Sequence, residues 1–339
     1  MKFRVLPLEL PLKKPFQISH LRMEKAKNLL VILEEGPFVG YGEAVPMPFY
    51  GEDAPRAASE INQVLGQLEG LGTMDLPWLQ AWLKELGRKG LLACSLAALE
   101  MALLDFLAKR RGQALWELLE VPPPGRRASF RTLSLSEEAE SHELLDAKAK
   151  GPVKLKLGGV RDDEFLDLLA QNPRTNFALD MNCGWSFDRL ERESARLRRA
   201  NLLFIEDPCP AEELARHKDR LKEILAVPWF ADEHFHPGRS ETHKNAGGIN
   251  FKFSKLGGYL NSVTEIQTAR ARGQKTLNGC FLQSSLSVAF AFHLAGIFDH
   301  LDLDGASFLA WDPFANLRFE LGEIWLEGNQ PGIGVQHVA

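Results

Sequence analysis

From residue 128 onward the chain repeats one unit: a short apolar run closing on polar residues, then a charged stretch of helical character. The apolar runs are SFRTLSL, PVKLKLGG, TNFALDMN, NLLFIEDP, PWFADE, INFKFSKLGG, LNGCFLQSS and LDLDG. Charged segments such as DRLERESARLRRA and AEELARHKDRLKEIL separate most of them. Strand and helix in alternation build parallel βαβ units, which makes the expected fold class α/β. Eight such strands close a barrel, and barrel sites collect at the C-terminal ends of the strands.

The polar strand ends keep a beat. Lys156, Asp180, Glu206, Asp232 and Lys252 follow one another at intervals of 24, 26, 26 and 20 residues. One βα unit of a barrel is about that long. Each residue is therefore expected at a similar height on a successive strand, facing one mouth. Taken singly, each has a plain alternative. Asp180 with Asn182 could form an Asx turn, the acids of EDP and ADE could cap helices, and the lysines of KLKL could be wet. Five such events in register are poorly explained by five independent turns. Three converging carboxylates repel one another unless a cation sits between them. Oxygen-only ligands favour a hard cation, and few ligands with room for water and substrate favour Mg²⁺. Lys156 lies one strand before the acids and Lys252 one strand after, so around a closed barrel they approach a central ligand from different sides. A lysine beside another cation has its charged form disfavoured and can serve as a general base.

The first third reads differently. FRVLPLEL and NLLVILEEGPFVGYGEA have the texture of strands, the second pair joined by a Gly-Pro turn. LLACSLAALEMALLDFLAKRRG reads as a helix that ends on a basic turn and Gly112. VPPPGRR, at 121–127, marks a boundary. The expected domains are an α+β unit over 1–120, completed by 316–339, and a barrel over 121–315. With 25% charged residues and a net charge of −5, the chain does not have the basic footprint of a nucleic-acid binder. The start of the chain lacks a signal-peptide core, and SLSVAFAFHLAGIF is too short to span a bilayer. Cys94, Cys183, Cys209 and Cys280 have no paired spacing. Reduced thiols in a cytoplasm are expected, and their spacing does not suggest a cysteine-built zinc site.

Together these motifs resemble the enolase superfamily, and within it the muconate-lactonizing subgroup. KLKLG matches the family's Lys-x-Lys, LDMNCGW, IEDP and ADE its three metal-ligand strands, FKFSKLGG its sixth-strand lysine, and VGYGEAVPMPFYGED its substrate-capping loop. The resemblance implies a modified barrel of (β/α)7β type under an N-terminal α+β capping domain. It implies Mg²⁺ on Asp180, Glu206 and Asp232, with Asn182, Asp207 and Glu233 in support. Lys156 and Lys252 become the two bases, and Lys154 supports Lys156. HLDLDGASF resembles the Asp-x-Asp of dipeptide epimerases, where the pair holds a substrate's α-ammonium; here it is Asp302 and Asp304. Buried charge needs an opposite partner, and substrates without an ammonium would be repelled there. Thr132, Gln283, Phe49, Tyr50, His20 and Arg22 are further candidates for the substrate side. Gln283 stands where many relatives carry an acid. The expected activity is epimerisation of a dipeptide's C-terminal residue by two-base proton transfer through an enediolate. The alternatives on one scaffold are an o-succinylbenzoate synthase or N-succinylamino acid racemase; the non-enzyme alternative is a metal-binding structural barrel. The partner expected is a small molecule, with a homo-oligomer allowed and neither nucleic acid nor membrane.

Overall fold

The computed structural model describes residues 1–18, 21–68, 74–133, 150–236 and 241–338. The chain opens with an antiparallel sheet of β1 (Lys2–Ile18), β2 (Leu21–Glu35) and β3 (Phe38–Ala44). β1 runs well past the stretch legible in the sequence, although it contains Pro7, Pro11 and Pro15. It pairs within this sheet on one side only, and an edge strand tolerates a proline whose missing N–H faces away from its partner. Helices α1 (Ala54–Gly66) and α3 (Ala93–Arg111) pack on the sheet, and α2 (Leu76–Arg88) packs on α3. α3 ends at Gly112 in the left-handed region, as the sequence predicts. A Cβ on Gly40 or Gly42 would lie 2.2 Å from the Ala102 carbonyl or 2.1 Å from that of Ala98. The alternating glycines of VGYGEA therefore let α3 lie directly on β3.

The second layer is the barrel. After a short strand β4 (Arg127–Ala128) come β5 (Arg131–Leu133), β6 (Val153–Lys156), β7 (Phe177–Asp180) and β8 (Leu202–Glu206). β9 (Trp229–Ala231), β10 (Gly248–Phe251), β11 (Lys275–Gly279) and β12 (His300–Asp302) complete it. These eight strands, β5 to β12, are parallel neighbours in chain order. Phe130 N–H donates to the Leu301 carbonyl (2.9 Å) and Leu303 N–H to Ser129 Oγ (2.9 Å), which ties the last strand to the first. Each of the eight runs read from the sequence overlaps one of these strands.

Period two along each strand sets what fills the barrel. Phe130, Ala178, Phe204 and Phe230 form an apolar plug with Leu277, and Phe204 stacks on Phe230 at 4.1 Å. Two residues further along three of these strands stand Asp180, Glu206 and Asp232, so the charged layer sits directly on the plug. The C-terminal segment adds β13 (Phe314–Ala315), β14 (Leu317–Glu320), β15 (Glu323–Leu326) and β16 (Gln336–His337). β15 pairs with β4, while Ile333 N–H donates to Asp105 of α3. Among the described residues, no helix is long and apolar enough to cross a membrane.

Two buried acids bolt the first layer to the second. Glu43 of β3 accepts from Ser284 N–H and Oγ, Ser287 Oγ and Asn28 Nδ2. Glu100 of α3 accepts Tyr259 N–H (2.6 Å) and Leu260 N–H (3.0 Å) at the start of the helix Tyr259–Ala271. Glu100→Ala strands both donors out of water. It should lower unfolding stability by about 1–3 kcal/mol in a urea titration, with no change in metal affinity.

Candidate active site

Lys156, Asp180, Glu206, Asp232 and Lys252 meet at the barrel's C-terminal mouth. Lys156, Asp180 and Glu206 stand side by side in register on β6, β7 and β8, and Asp232 follows β9 directly. Asp180, Glu206 and Asp232 are each fully buried. Lys252 follows β10, four strands round from β6 in a ring of eight. The two lysines therefore enter from opposite sides. Lys156 bonds Asp180, and Lys252 bonds Asp232. Lys255, three residues after Lys252 in one motif, bonds Asp232 through both its carboxylate and its carbonyl (2.8 Å for the latter). Sequence reading missed this lysine, although its spacing from Lys252 on the short helix Phe253–Leu256 was visible.

Lys154 does not reach the mouth. It is fully buried, with its Nζ 2.7 Å from Asp302 Oδ2, 2.8 Å from Glu206 Oε2 and 3.3 Å from Asp180 Oδ2. Burial alone would lower its pKa, but these three carboxylates raise it well above the ordinary lysine value. Lys252 behaves alike: burial opposes its charge, yet Asp232 holds it as an ammonium. The sequence expectation of lysines with lowered pKa neglected how closely the acids bind these two.

The acids divide. Burial opposes the ionised form of Asp180, but Lys156 and Lys154 hold it down at about 2. Asp232 is held below its ordinary value by Lys252 and Lys255 in the same contest with burial. Glu206 goes the other way. Burial, opposed by Lys154 and reinforced by Asp180 and Asp232, pushes it up to about 8. In and beneath the mouth four buried lysines (154, 156, 252, 255) face seven buried carboxylates (Asp180, Glu206, Asp207, Asp232, Glu233, Asp302, Asp304). The surplus of negative charge and the all-oxygen donors of the inner three fit a hard divalent cation. Asn250 Nδ2 donates to Glu206 Oε1 (2.8 Å), and Asp207 Oδ2 accepts the N–H groups of Asp232 and Glu233, so the acids are held in place.

A cleft of about 740 Å³, counted out to solvent, opens above this layer. That is a normal size for a small-molecule site. Its polar wall holds Thr132, Lys156, Asn182, Glu233, Lys252, Asp302 and Asp304. Thr132 N–H donates to Asp304 Oδ2 (2.6 Å). Asp302 gives one oxygen to Lys154, while its Oδ1 is buried with no hydrogen-bond partner among the described residues. Burial and the Asp302 carboxylate push Asp304 up to about 7. The outer wall is apolar: Phe16, Met23, Met47, Phe49, Phe281 and Phe308 among others. Tyr50, also in this wall, stacks on His236 with ring centroids 4.5 Å apart.

Phe49 and Tyr50 thus reach the cleft as predicted, but Arg22 is exposed and outside its wall, and His20 lies outside the described residues. Gln283 sits in the seam between cap and barrel beside Glu43 and Ser287. The chain turns into the helix Ser285–His293 at that point, capped by Ser284, and Gln283 is carried away from the cleft while Phe281 faces it.

Both layers match family models. The mandelate racemase / muconate lactonizing enzyme N-terminal domain matches residues 2–120, and the enolase C-terminal domain-like model matches 137–337. The chain belongs to the enolase superfamily. An L-Ala-D/L-amino acid epimerase of Flavobacterium johnsoniae is 27% identical, covering 99% of both chains. A hydrophobic dipeptide epimerase of Roseobacter litoralis is 31% identical over 98% of both. Among solved structures, a dipeptide epimerase from Methylococcus capsulatus complexed with Mg and dipeptide L-Arg-D-Lys matches with TM-score 0.81 and 26% identity, covering 98% of both.

Proposed function

We propose that this protein is a Mg²⁺-dependent epimerase that inverts the α-carbon of the C-terminal residue of a dipeptide. The observation that carries the reading is the placement of Lys156 and Lys252 on opposite sides of one cleft, above three buried carboxylates. Asp180, Glu206 and Asp232 would hold Mg²⁺, which would supply positive charge for the substrate carboxylate and offset those acids' pull on the lysines. One lysine, as the free amine, takes the α-proton from its face. The other, as the ammonium, delivers a proton to the opposite face. The reverse direction exchanges the roles. Lys154, fixed as a cation by its three acids, stays out of the transfer and keeps Asp302 oriented.

Asp302 and Asp304 receive the dipeptide's α-ammonium. The unpartnered Asp302 Oδ1 supports this, because an anionic oxygen out of water favours a cationic partner. The apolar wall favours an uncharged, bulky side chain on the substrate, as the name of the Roseobacter relative also suggests. Incubating a panel of dipeptides in D₂O and following deuterium at Cα by mass spectrometry tests the whole reading. Incorporation is expected with apolar dipeptides. Its absence across the panel, with turnover of succinylbenzoate precursors or N-succinylamino acids instead, would replace it.

Asp304→Asn should weaken binding of a free dipeptide while Mg²⁺ affinity stays normal. Breaking a buried charge pair costs about 3–5 kcal/mol, and less at an open mouth. An N-acetylated dipeptide should be a poor substrate for the wild type, and the variant should lose most of that preference in kcat/KM. The ammonium selects ionised Asp304, so affinity for the free dipeptide should fall as pH drops below about 7. Equal use of both forms by the wild type would remove the dipeptide assignment.

A further inference from the structure

Each of the three acid-bearing strands also contributes a second donor just beyond the first. Cys183, Asp207 and Glu233 follow Asp180, Glu206 and Asp232 by three, one and one residues. Their donor atoms lie within 4.8 Å of one another. Asn182, Cys183 and Asp207 adopt left-handed backbone, with φ of 42°, 60° and 38°, which closes the turns that bring these side chains together. Asp207 spends Oδ2 on two backbone N–H groups, and Glu233 spends Oε1 on Asn182 Nδ2 (3.0 Å). Asp207 Oδ1 and Glu233 Oε2 are left buried without a hydrogen-bond partner among the described residues. Asp207 is 0% exposed and Glu233 7%. Two carboxylate oxygens out of water need a shared proton or a cation between them. The third corner is sulfur, and thiolate selects softer divalent ions over Mg²⁺. His234 flanks the group, its Nε2 3.5 Å from Cys183 Sγ and 2.9 Å from the Cys209 carbonyl oxygen.

We propose that Cys183, Asp207 and Glu233 form a second cation site for a thiophilic divalent ion such as Zn²⁺ or Cd²⁺, separate from the inner site of Asp180, Glu206 and Asp232. On binding, the Cys183 thiol releases its proton to solvent, and any proton shared by the two acids leaves with it. Occupation ties up Glu233, which lines the cleft, and Asp207, which holds the backbone of Asp232. Soft metals therefore inhibit this protein from beside its catalytic layer. The site needs no dipeptide, so it stands or falls independently of the substrate assignment.

Titrating the Mg²⁺-saturated protein with Cd²⁺ alone, and following thiolate-to-cadmium charge-transfer absorption in the ultraviolet, tests this. One equivalent of the band is expected. It should vanish in Cys183→Ser and persist in Cys280→Ser, which removes the cysteine that lines the cleft. Glu233→Gln keeps the thiol and should weaken Cd²⁺ binding by about tenfold or more. Far-ultraviolet circular dichroism checks that each variant folds, and the Glu233 variant decides the matter if Cys183→Ser does not. A missing band, a band that survives Cys183→Ser, or an affinity unmoved by Glu233→Gln would overturn the site. So would stoichiometric displacement of Cd²⁺ by added Mg²⁺, which would place the ion on the inner carboxylates.

Discussion

Lys156→Ala and Lys252→Ala are each expected to stop epimerisation in both directions, with losses of roughly 100- to 10,000-fold, the range for removing a positioned acid or base. The loss is two-way because in the proposed reaction each turnover would take a proton on one face and return one on the other. The two variants should nevertheless differ in what they retain. The surviving lysine still faces one side of the α-carbon and can exchange that isomer's proton with solvent. In D₂O, one variant should label only the L isomer at the C-terminal residue and the other only the D isomer. The structure supports opposite labels because β6 and β10 are four strands apart in a ring of eight. Both variants should keep Mg²⁺ affinity within a few-fold, since neither lysine is a metal donor. Labelling of one isomer by both variants would refute opposite-face transfer.

Most of this site was legible because it repeats. A barrel places one strand end about every 25 residues, and a reacting layer must draw on several strand ends at one height. Lys156, Asp180, Glu206, Asp232 and Lys252 therefore declare themselves by spacing alone. What spacing cannot report is rotation and depth. Lys154 and Lys156 share a strand face, but Lys154 lies one layer lower and meets three acids, so it is buried as a cation instead of facing substrate. Gln283 lies just beyond a strand end yet turns into the seam because the next helix begins at once.

The cleft wall was hidden for a different reason. Phe16, Met23 and Phe308 look like core residues in any window of sequence, and only the tertiary approach of β1 and β2 to the last βα loop turns them toward the cleft. Phe16 and Phe308 meet edge to face at 5.1 Å across that junction. The thiol-bearing cluster was hidden similarly. Cysteine spacing does not suggest a cysteine-built zinc site, but here one cysteine lies beside acids from two other strands. β1 extends beyond FRVLPLEL through Pro11 and Pro15, which an edge strand tolerates.

Removing one inner carboxylate should act oppositely on the metal-free and metal-loaded protein, and Glu206→Gln separates the two. In the metal-free fold Glu206 is pushed up to about 8, whereas an unfolded chain gives it the ordinary glutamate value of 4.5. Between those values the folded state binds more protons than the unfolded one, so stability from this group falls as pH rises through that window. Above about pH 8 the ionised carboxylate is a full burden, with Asp180 and Asp232 facing it. Glutamine carries no charge and keeps an acceptor for Asn250, so the metal-free variant should melt higher than wild type at pH 8, with a flatter pH dependence. Mg²⁺ reverses the order. Binding to the folded state alone adds about 2.7 kcal/mol at a hundredfold excess over Kd. The wild type should gain that increment, and the variant should gain little because one of three charged donors is gone. Asp180→Asn and Asp232→Asn should lose the Mg²⁺ increment too, but without the metal-free gain, since their lysines hold both acids below their ordinary values. Thermal melts with and without Mg²⁺, with calorimetry at pH 8, read all three. Undiminished Mg²⁺ affinity in all three variants would move the metal away from these strand ends.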